Sequence, residues 1–583
     1  MFKRVLAVGA AAALVAAAAA YVLRPERGLP EGAPTLDRMA HAIGAPVMTH
    51  LHLGHVPGRS GEVMLVPKPQ NFFIGEWDLS ALGTDRVTLA SSHPNPWDYL
   101  TRVPIVFYGP GYVRKKRANY ESVDITSIAP TFARLLGMDD FEADGAPFAE
   151  IVPDEPAKTR PERKPPKVIF TVVIDGGGWN VLEEHPTAWP TISSLIAGGT
   201  TYFNATIGSA PSVTGALHAT FGTGDYPVQH GLPGNQMRSE DGEIVDAWLQ
   251  DADPRFLRSP TVSELWDERN NNDPIVGTVS YEGWHLGMIG HGAQRSGGDR
   301  DIAALWETSE NEWWINENYY RIPSYVEDLG VERLEAYEQR LDPRDGVADD
   351  RWFGHTLEEL QDPRVRPGTP AFVTLTGDAV VEVIENEPLG RDDVTDVFWV
   401  EMKMPDFAGH QWTMNSSEEE DVVRETDRQI ERFIKALDEE VGRGNYLFVV
   451  SADHGQQPQV ELTGGWRINQ DEVARDVRSR FGDVVEKVTP FDMYIDMTAL
   501  AESDHSLEDI ARYFGTYTLR ENIPEGAPGA DRVPEGRLDE HLFAGAFPTD
   551  YLASLTEAEI SSFGAGQYPE GDFTVGRGDT EQP

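Results

Sequence analysis

The chain of 583 residues contains no cysteine. Disulfides, thiolate-held metal and a cysteine nucleophile are excluded at once, so any metal must rest on histidine nitrogen and carboxylate oxygen. Basic residues are scarce as well: 49 Lys and Arg stand against 96 Asp and Glu, a formal charge of −47. So acidic a surface repels nucleic acid and anionic membrane faces and favours solubility. It excludes a polyanion-binding role and predicts no nucleic acid polymer among the partners. The same field opposes a small anionic ligand unless bound cations reverse it locally.

Charge is absent altogether between Val5 and Leu23, behind the basic start Lys3-Arg4 and ahead of Arg24. An alanine-rich run of this kind predicts a signal peptide or membrane anchor over residues 1–23, with the remainder periplasmic, secreted or outward-facing on a membrane.

What is present beyond that run is repeated α/β patterning. Strands are predicted at Val103–Tyr108, Lys167–Asp175, Ile275–Tyr281, Val394–Met402 and Tyr446–Ser451, and helices at Ile128–Leu136, Pro190–Ala197 and Glu418–Leu437. The run KVIFTVVID has no polar alternation, as expected of a strand buried on both faces of a parallel sheet. Residues 151–166 combine prolines and charges without apolar periodicity and read as a linker. The expected organisation is a first segment at 40–150, the linker, a main domain at 167–455 with an aromatic-rich cap at about 300–345, a small α/β subdomain at 456–523 and a weakly ordered tail at 524–583.

Chemistry-bearing residues gather at the ends of these strands. Asp175 closes VVID before three glycines; Asp406 and His410 follow a strand at an offset of one helical turn; Asp453 and His454 end another. Open parallel sheets bind ligands at this edge, and the donor set of nitrogen and oxygen suits zinc.

With these motifs the chain resembles the alkaline phosphatase superfamily, in particular its nucleotide pyrophosphatase/phosphodiesterase and phosphate-irrepressible phosphatase branches, over residues 50–150 and 167–520. The resemblance implies an alkaline-phosphatase-like α/β fold, a mostly parallel sheet sandwiched by helices, and two Zn2+ ions. Asp175, the nucleophile, Asp453 and His454 would hold one ion; Asp406, His410 and a distant histidine would hold the other. SAPSVTGALHATFGTGDYPVQHGL, residues 209–232, resembles the nucleophile motif and makes Thr214 the nucleophile and a metal ligand, with Ser212 as a substitute. Asn235, which lies 21 residues after Thr214 as in relatives, would donate to a phosphoryl oxygen, and His218 reads as a structural histidine on the helix.

Two departures bear on activity. Aligned on Gly290-His291, the Lys-x-Arg pair of monoesterase relatives is replaced by Tyr281 and Gly283, which tilts the expectation towards singly charged diesters or pyrophosphates. Ser209-Ala-Pro-Ser-Val213 lacks the arginine of sulfatases. The distant histidine is also out of order. His505 and His541 lack the family's surroundings, whereas SSHPNPWDYLTRVPIVFYGPG and its flanks have them, so His93 is the expected ligand and the chain order reads as circularly permuted. A domain-swapped dimer could also donate His93, so monomer and dimer both stay open. The expected function is an exported zinc-dependent phosphoric ester hydrolase acting on a small phosphate ester or nucleotide through a phospho-threonine. The alternatives are an alkaline phosphomonoesterase, a phosphoryl-group transferase to a lipid or glycan, and an acidic metal-binding surface protein.

Overall fold

The computed structural model describes residues 29–30, 32–74, 91–110, 112–151 and 165–568. The expected signal or anchor at 1–23 and all but the ends of the linker lie outside the described residues. Strands that position the site are β1 (Val63–Pro67), β2 (Arg102–Tyr108), β3 (Val168–Ile174), β4 (Thr200–Thr206), β5 (Val276–Val279), β6 (Asp301–Glu307), β7 (Asp396–Met402), β8 (Tyr446–Ala452), β9 (Val485–Val488), β10 (Asp492–Ile495) and β11 (Phe543–Pro548). The helices are α1 (Ile128–Leu135), α2 (Thr214–Thr223), α3 (Pro370–Asn386), α4 (Met404–Trp412) and α5 (Ser417–Leu437).

In the central sheet, β6, β5, β7, β3 and β8 lie side by side and run parallel. Next to β8, β2 pairs antiparallel, and β4 pairs antiparallel with β2. The apolar run of β3 is explained by its central place, since side chains at alternate positions enter opposite layers. Val168, Phe170 and Val172 join Phe398 and Phe448 under helices α3 and α5 through Phe372, Val383 and Phe433. Ile169 and Val173 join Trp399 and Leu447 under α1 and α2 through Phe132 and Leu217. The Phe170 ring stacks against Phe398 at 5.8 Å and Phe448 at 5.5 Å across the two neighbouring strands. Each such buried side chain contributes roughly 1.5–3 kcal/mol. This is an alkaline-phosphatase-like α/β fold with a mixed, mostly parallel sheet flanked by helices.

Helix α5 shows how local sequence fixes an element. Ser416 accepts a hydrogen bond from the Glu419 backbone N–H, three glutamates fill the first turn and Lys435 stands in the last, all favourable to the helix dipole. Among the described residues no helix is long and apolar enough to cross a membrane.

Two expected boundaries are corrected. The aromatic-rich stretch at 300–345 is no separate cap at its start: Asp301–Glu307 is a strand of the central sheet, and Trp306 and Trp313 meet edge to face at 5.3 Å inside the core. The tail after residue 524 is not weakly ordered over its described part. Strand β11 pairs antiparallel with β1, which pairs with β10, which pairs with β9, so the small domain's sheet draws on both ends of the described chain. Short apolar stretches among glycines and prolines hide such a strand, because its partner is nearly 500 residues away in sequence.

Ending the chain at residue 539 removes β11 with its buried Phe543 and Phe547, and the buried Leu552 of the helix that follows. The expected outcome is destabilisation of the small domain by roughly 5 kcal/mol, read as new protease cuts between residues 460 and 539 and an early thermal transition. An unchanged cleavage pattern and melting curve would contradict this.

Candidate active site

Strand register builds the site. Ile174 is level with Met402 on one side and Ala452 on the other, so the next residues, Asp175, Lys403 and Asp453, leave three adjacent parallel strands side by side. Because β2 is antiparallel, the segment before it returns to the same edge and carries His93 there. Strand β4 ends at Thr206 opposite Arg102 and leads to Thr214 at the start of α2. Asp406 and His410 lie one turn apart on α4. Gly176 has φ 69°, and a Cβ there would stand 3.0 Å from the Asp406 Cα, so only glycine allows the Asp175 turn to close against α4.

Two ligand-like sets result. In the first, His454 Nε2 is 3.3 Å from both Asp175 Oδ1 and Asp453 Oδ2. In the second, His93 Nε2 is 3.2 Å from Asp406 Oδ1 and His410 Nε2 is 3.4 Å from Asp406 Oδ2. The sets adjoin, with the His93 and His454 rings stacked at 3.6 Å.

The histidine tautomers are fixed by their backs. Nδ1 of His93 meets the Ser212 carbonyl at 2.7 Å, Nδ1 of His410 the Ser91 carbonyl at 2.6 Å and Nδ1 of His454 the Gly455 carbonyl at 2.9 Å. A carbonyl only accepts, so each Nδ1 carries a proton and each Nε2 faces inwards; burial disfavours a charged His410, but the Asp406 carboxylate outweighs it and raises that ring above its ordinary value. Burial, then His93, pushes His454 down to about 3, so its ring is neutral. At His454 a lone pair facing two carboxylate oxygens at 3.3 Å calls for a cation between them. Asp175 Oδ1, Asp406 Oδ1, Asp453 Oδ2 and His454 Nε2 are all buried without a hydrogen-bond partner. Such atoms are costly to bury unless something binds them, and the donor set fits a metal such as zinc.

Thr214 is buried at the first position of α2, with its Oγ1 3.4 Å from Asp175 Oδ2. Asn235 Oδ1 accepts from the Gly215 backbone N–H at 2.7 Å, which places that amide beside Thr214. Ser212 is otherwise engaged: its hydroxyl lies 2.5 Å from the His93 carbonyl and 2.8 Å from that of Asn95, and so latches the His93 loop. Tyr281 and Gly283 bring no cation; the Tyr281 hydroxyl bonds Thr308 Oγ1 at 2.5 Å.

Lys403 and His285 enter the site without a motif of their own in the sequence. Lys403 is buried, with Nζ 2.9 Å from Asp175 Oδ2, 2.6 Å from Asp406 Oδ2 and 3.3 Å from Thr214 Oγ1. His285 Nε2 lies 3.6 Å from Asp175 Oδ2 and 3.7 Å from Glu401 Oε2, and both oxygens of the buried Glu401 lack a hydrogen bond. His218, expected as structural, does bond the Thr214 carbonyl through Nδ1 at 2.9 Å, but it also completes a compact group with Asp175 and His285. Only the placement of Lys403 two residues after Glu401, at the end of an apolar strand, could have signalled this.

Burial opposes ionisation of Asp175, yet Lys403, with help from His285 and His454, holds it below the ordinary carboxylate range. Burial and the neighbouring Asp175 push Asp453 and Glu401 well above that range. One buried ammonium thus faces four buried carboxyl groups.

Residues 169–535 match the family described as type I phosphodiesterase / nucleotide pyrophosphatase, which is more than half of the chain. The chain belongs to the type I phosphodiesterase / nucleotide pyrophosphatase family. Relatives of this family member include alkaline phosphatase PafA of Elizabethkingia meningoseptica, 26% identical over 424 residues that cover 65% of this chain and 78% of that one. Alkaline phosphatase PhoV of Synechococcus elongatus is 26% identical over 327 residues, covering 50% of this chain and 59% of that one. A crystal structure of PafA superposes with a TM-score of 0.50 at 21% identity, over 61% of this chain and 76% of that one, a likeness of fold. The family member is therefore a phosphoric ester hydrolase of the alkaline phosphatase superfamily.

The neutral His454 makes a pH prediction for chelator-treated protein. Its folded value of about 3 lies below the ordinary 6.5, so the unfolded chain takes up the proton first. This contribution to stability is complete above pH 6.5 and is lost as pH falls towards 3, amounting to about 2 kcal/mol at pH 5. Urea unfolding at pH 7.5 and 5 should show a smaller loss in His454→Gln than in the wild type. Equal losses would contradict the assignment.

Proposed function

We propose that this chain is an exported, zinc-dependent phosphoric ester hydrolase of the phosphodiesterase/nucleotide pyrophosphatase type, acting through a phosphorylated Thr214. The observation that carries the reading is the Thr214 hydroxyl, buried at a helix N-terminus beside Asp175, where the two ligand-like sets meet. Asp175, Asp453, His454 and Thr214 would hold one Zn2+, and His93, Asp406 and His410 the other; when bound, the ions supply Lewis acidity and neutralise developing charge.

The chain's own residues do the rest. Thr214 Oγ1 attacks phosphorus as the bond to the leaving oxygen breaks; the hydroxyl proton passes to solvent and the leaving oxygen takes one up. The helix N-terminus favours the anionic oxygen. Asn235, tethered through Oδ1, keeps its amide N–H groups free to donate to a non-bridging oxygen. Water then hydrolyses phospho-Thr214, releasing phosphate or a phosphate monoester and restoring the hydroxyl.

The lack of cations at Tyr281 and Gly283 supports diesters or pyrophosphates as substrates. Lys403 supports a second reading, in which monoesters are also cleaved. We read the chain order as circularly permuted, with His93 delivered ahead of the nucleophile; its arrival on the loop leading into β2 supports this, and one chain suffices to bring all the residues together. The export run at residues 1–23 supports a periplasmic or outward-facing location, secreted or anchored.

Thr214→Ala should lower turnover of p-nitrophenyl mono- and diesters by at least about 10³-fold, and acid-quenched wild type should carry one phosphate on Thr214 by mass spectrometry. Chelation should abolish turnover and zinc should restore it. Full turnover by Thr214→Ala, with no phosphate trapped in the wild type, would overturn the proposal.

A further inference from the structure

Lys403 remains to be explained. An ammonium has three N–H donors, and the structure surrounds this one with three acceptors: Asp175 Oδ2 at 2.9 Å, Asp406 Oδ2 at 2.6 Å and Thr214 Oγ1 at 3.3 Å. Its side chain is 6% exposed, and the Phe407 ring lies 5.6 Å from Nζ. The lysine uses the Oδ2 atoms of both aspartates, whereas their Oδ1 atoms are the ones left without a hydrogen bond. Lysine and metal ions therefore have separate oxygens to bind, and the lysine bridges the two ligand sets.

A purely structural counter-ion would be satisfied by the two carboxylates. The third contact is to the oxygen that attacks phosphorus in the reading above, on which this inference rests. We propose that Lys403 is a catalytic cation that contacts the attacking oxygen of Thr214 and favours doubly charged phosphate monoesters over singly charged diesters.

The chemistry is balanced without any change in the lysine. It stays protonated while the Thr214 Oγ1–phosphorus bond forms and the bond to the leaving oxygen breaks. A fixed positive charge at the attacking oxygen interacts more strongly with a dianionic phosphoryl group than with a monoanionic one. It thus supplies, from the end of β7, a charge of the kind that Tyr281 and Gly283 do not provide. In a buried site one such contact is worth about 10²-fold or more in rate.

The test uses the full-length, zinc-loaded protein and its variants Lys403→Met and Lys403→Arg, with p-nitrophenyl phosphate and bis(p-nitrophenyl) phosphate as probes. Zinc content and phosphate trapped on Thr214 are measured alongside. Lys403→Met should keep its zinc, lose about 100-fold in monoester kcat/KM and no more than about 10-fold in diester kcat/KM, and phosphorylate Thr214 more slowly with the monoester. Lys403→Arg should recover part of the monoester loss. Equal losses on both esters at full zinc content would overturn the proposal, as would no loss at all. If Lys403→Met fails to fold or to hold zinc, Lys403→Arg decides. Retained zinc with a monoester-to-diester ratio near wild type supports the proposal, and retained zinc with that ratio about 10-fold or more below wild type, as if no cation were present, overturns it. Turnover surviving in Thr214→Ala would instead remove the nucleophile reading, a result separate from the ester ratio of the lysine variants.

Discussion

The structure turns on a concentration of buried carboxyl groups at one edge of its central sheet. Asp175, Asp453, Asp406 and Glu401 are all buried there against one ammonium, Lys403. Left uncompensated, such a group of carboxylates would cost more than a domain's whole margin of stability. The neighbouring structure supplies the compensation. Three imidazoles are locked by backbone carbonyls so that their Nε2 atoms face inwards, and a helix begins at Thr214 with its positive end towards the cluster. The remaining orphaned atoms point to metal. Stability of the folded edge and readiness to bind cations are the same physical fact.

This arrangement also resolves the tension between an acidic surface and an anionic substrate. A chain with a formal charge of −47 repels phosphate esters at long range. Within the site the sign is set by what sits between the carboxylates. Metal ions held there, together with the lysine, would act far more strongly on a bound phosphoryl group, where the dielectric is low, than the screened surface charges do.

Much of the fold was legible because its strongest signals are local. The run KVIFTVVID could be little other than a central parallel strand, and Asp453-His454 at the end of a second apolar run pointed to the same edge. His93 was legible only through its flanks, since a histidine beside prolines carries no chemistry of its own. What escaped depends on tertiary register. Lys403 matters because Met402 is level with Ile174, which brings its ammonium to Asp175; no spacing in the sequence states this. His285 reaches Asp175 from a short helical turn after β5, whereas the His218 bond to the Thr214 carbonyl is what a helix histidine normally makes. Strand β11 is hidden in the sequence for the same reason of distance: its pairing partner β1 lies towards the other end of the described chain.

The central claim is that this edge is a two-metal site assembled by one chain in permuted order. The most direct measurement is an anomalous difference map from crystals of the zinc-loaded protein, collected at the zinc edge. The account predicts two strong peaks, one about 2 Å from Asp175, Asp453, His454 and Thr214, the other about 2 Å from Asp406, His410 and His93. A single peak, or two peaks of which neither is bound by His93, would contradict it.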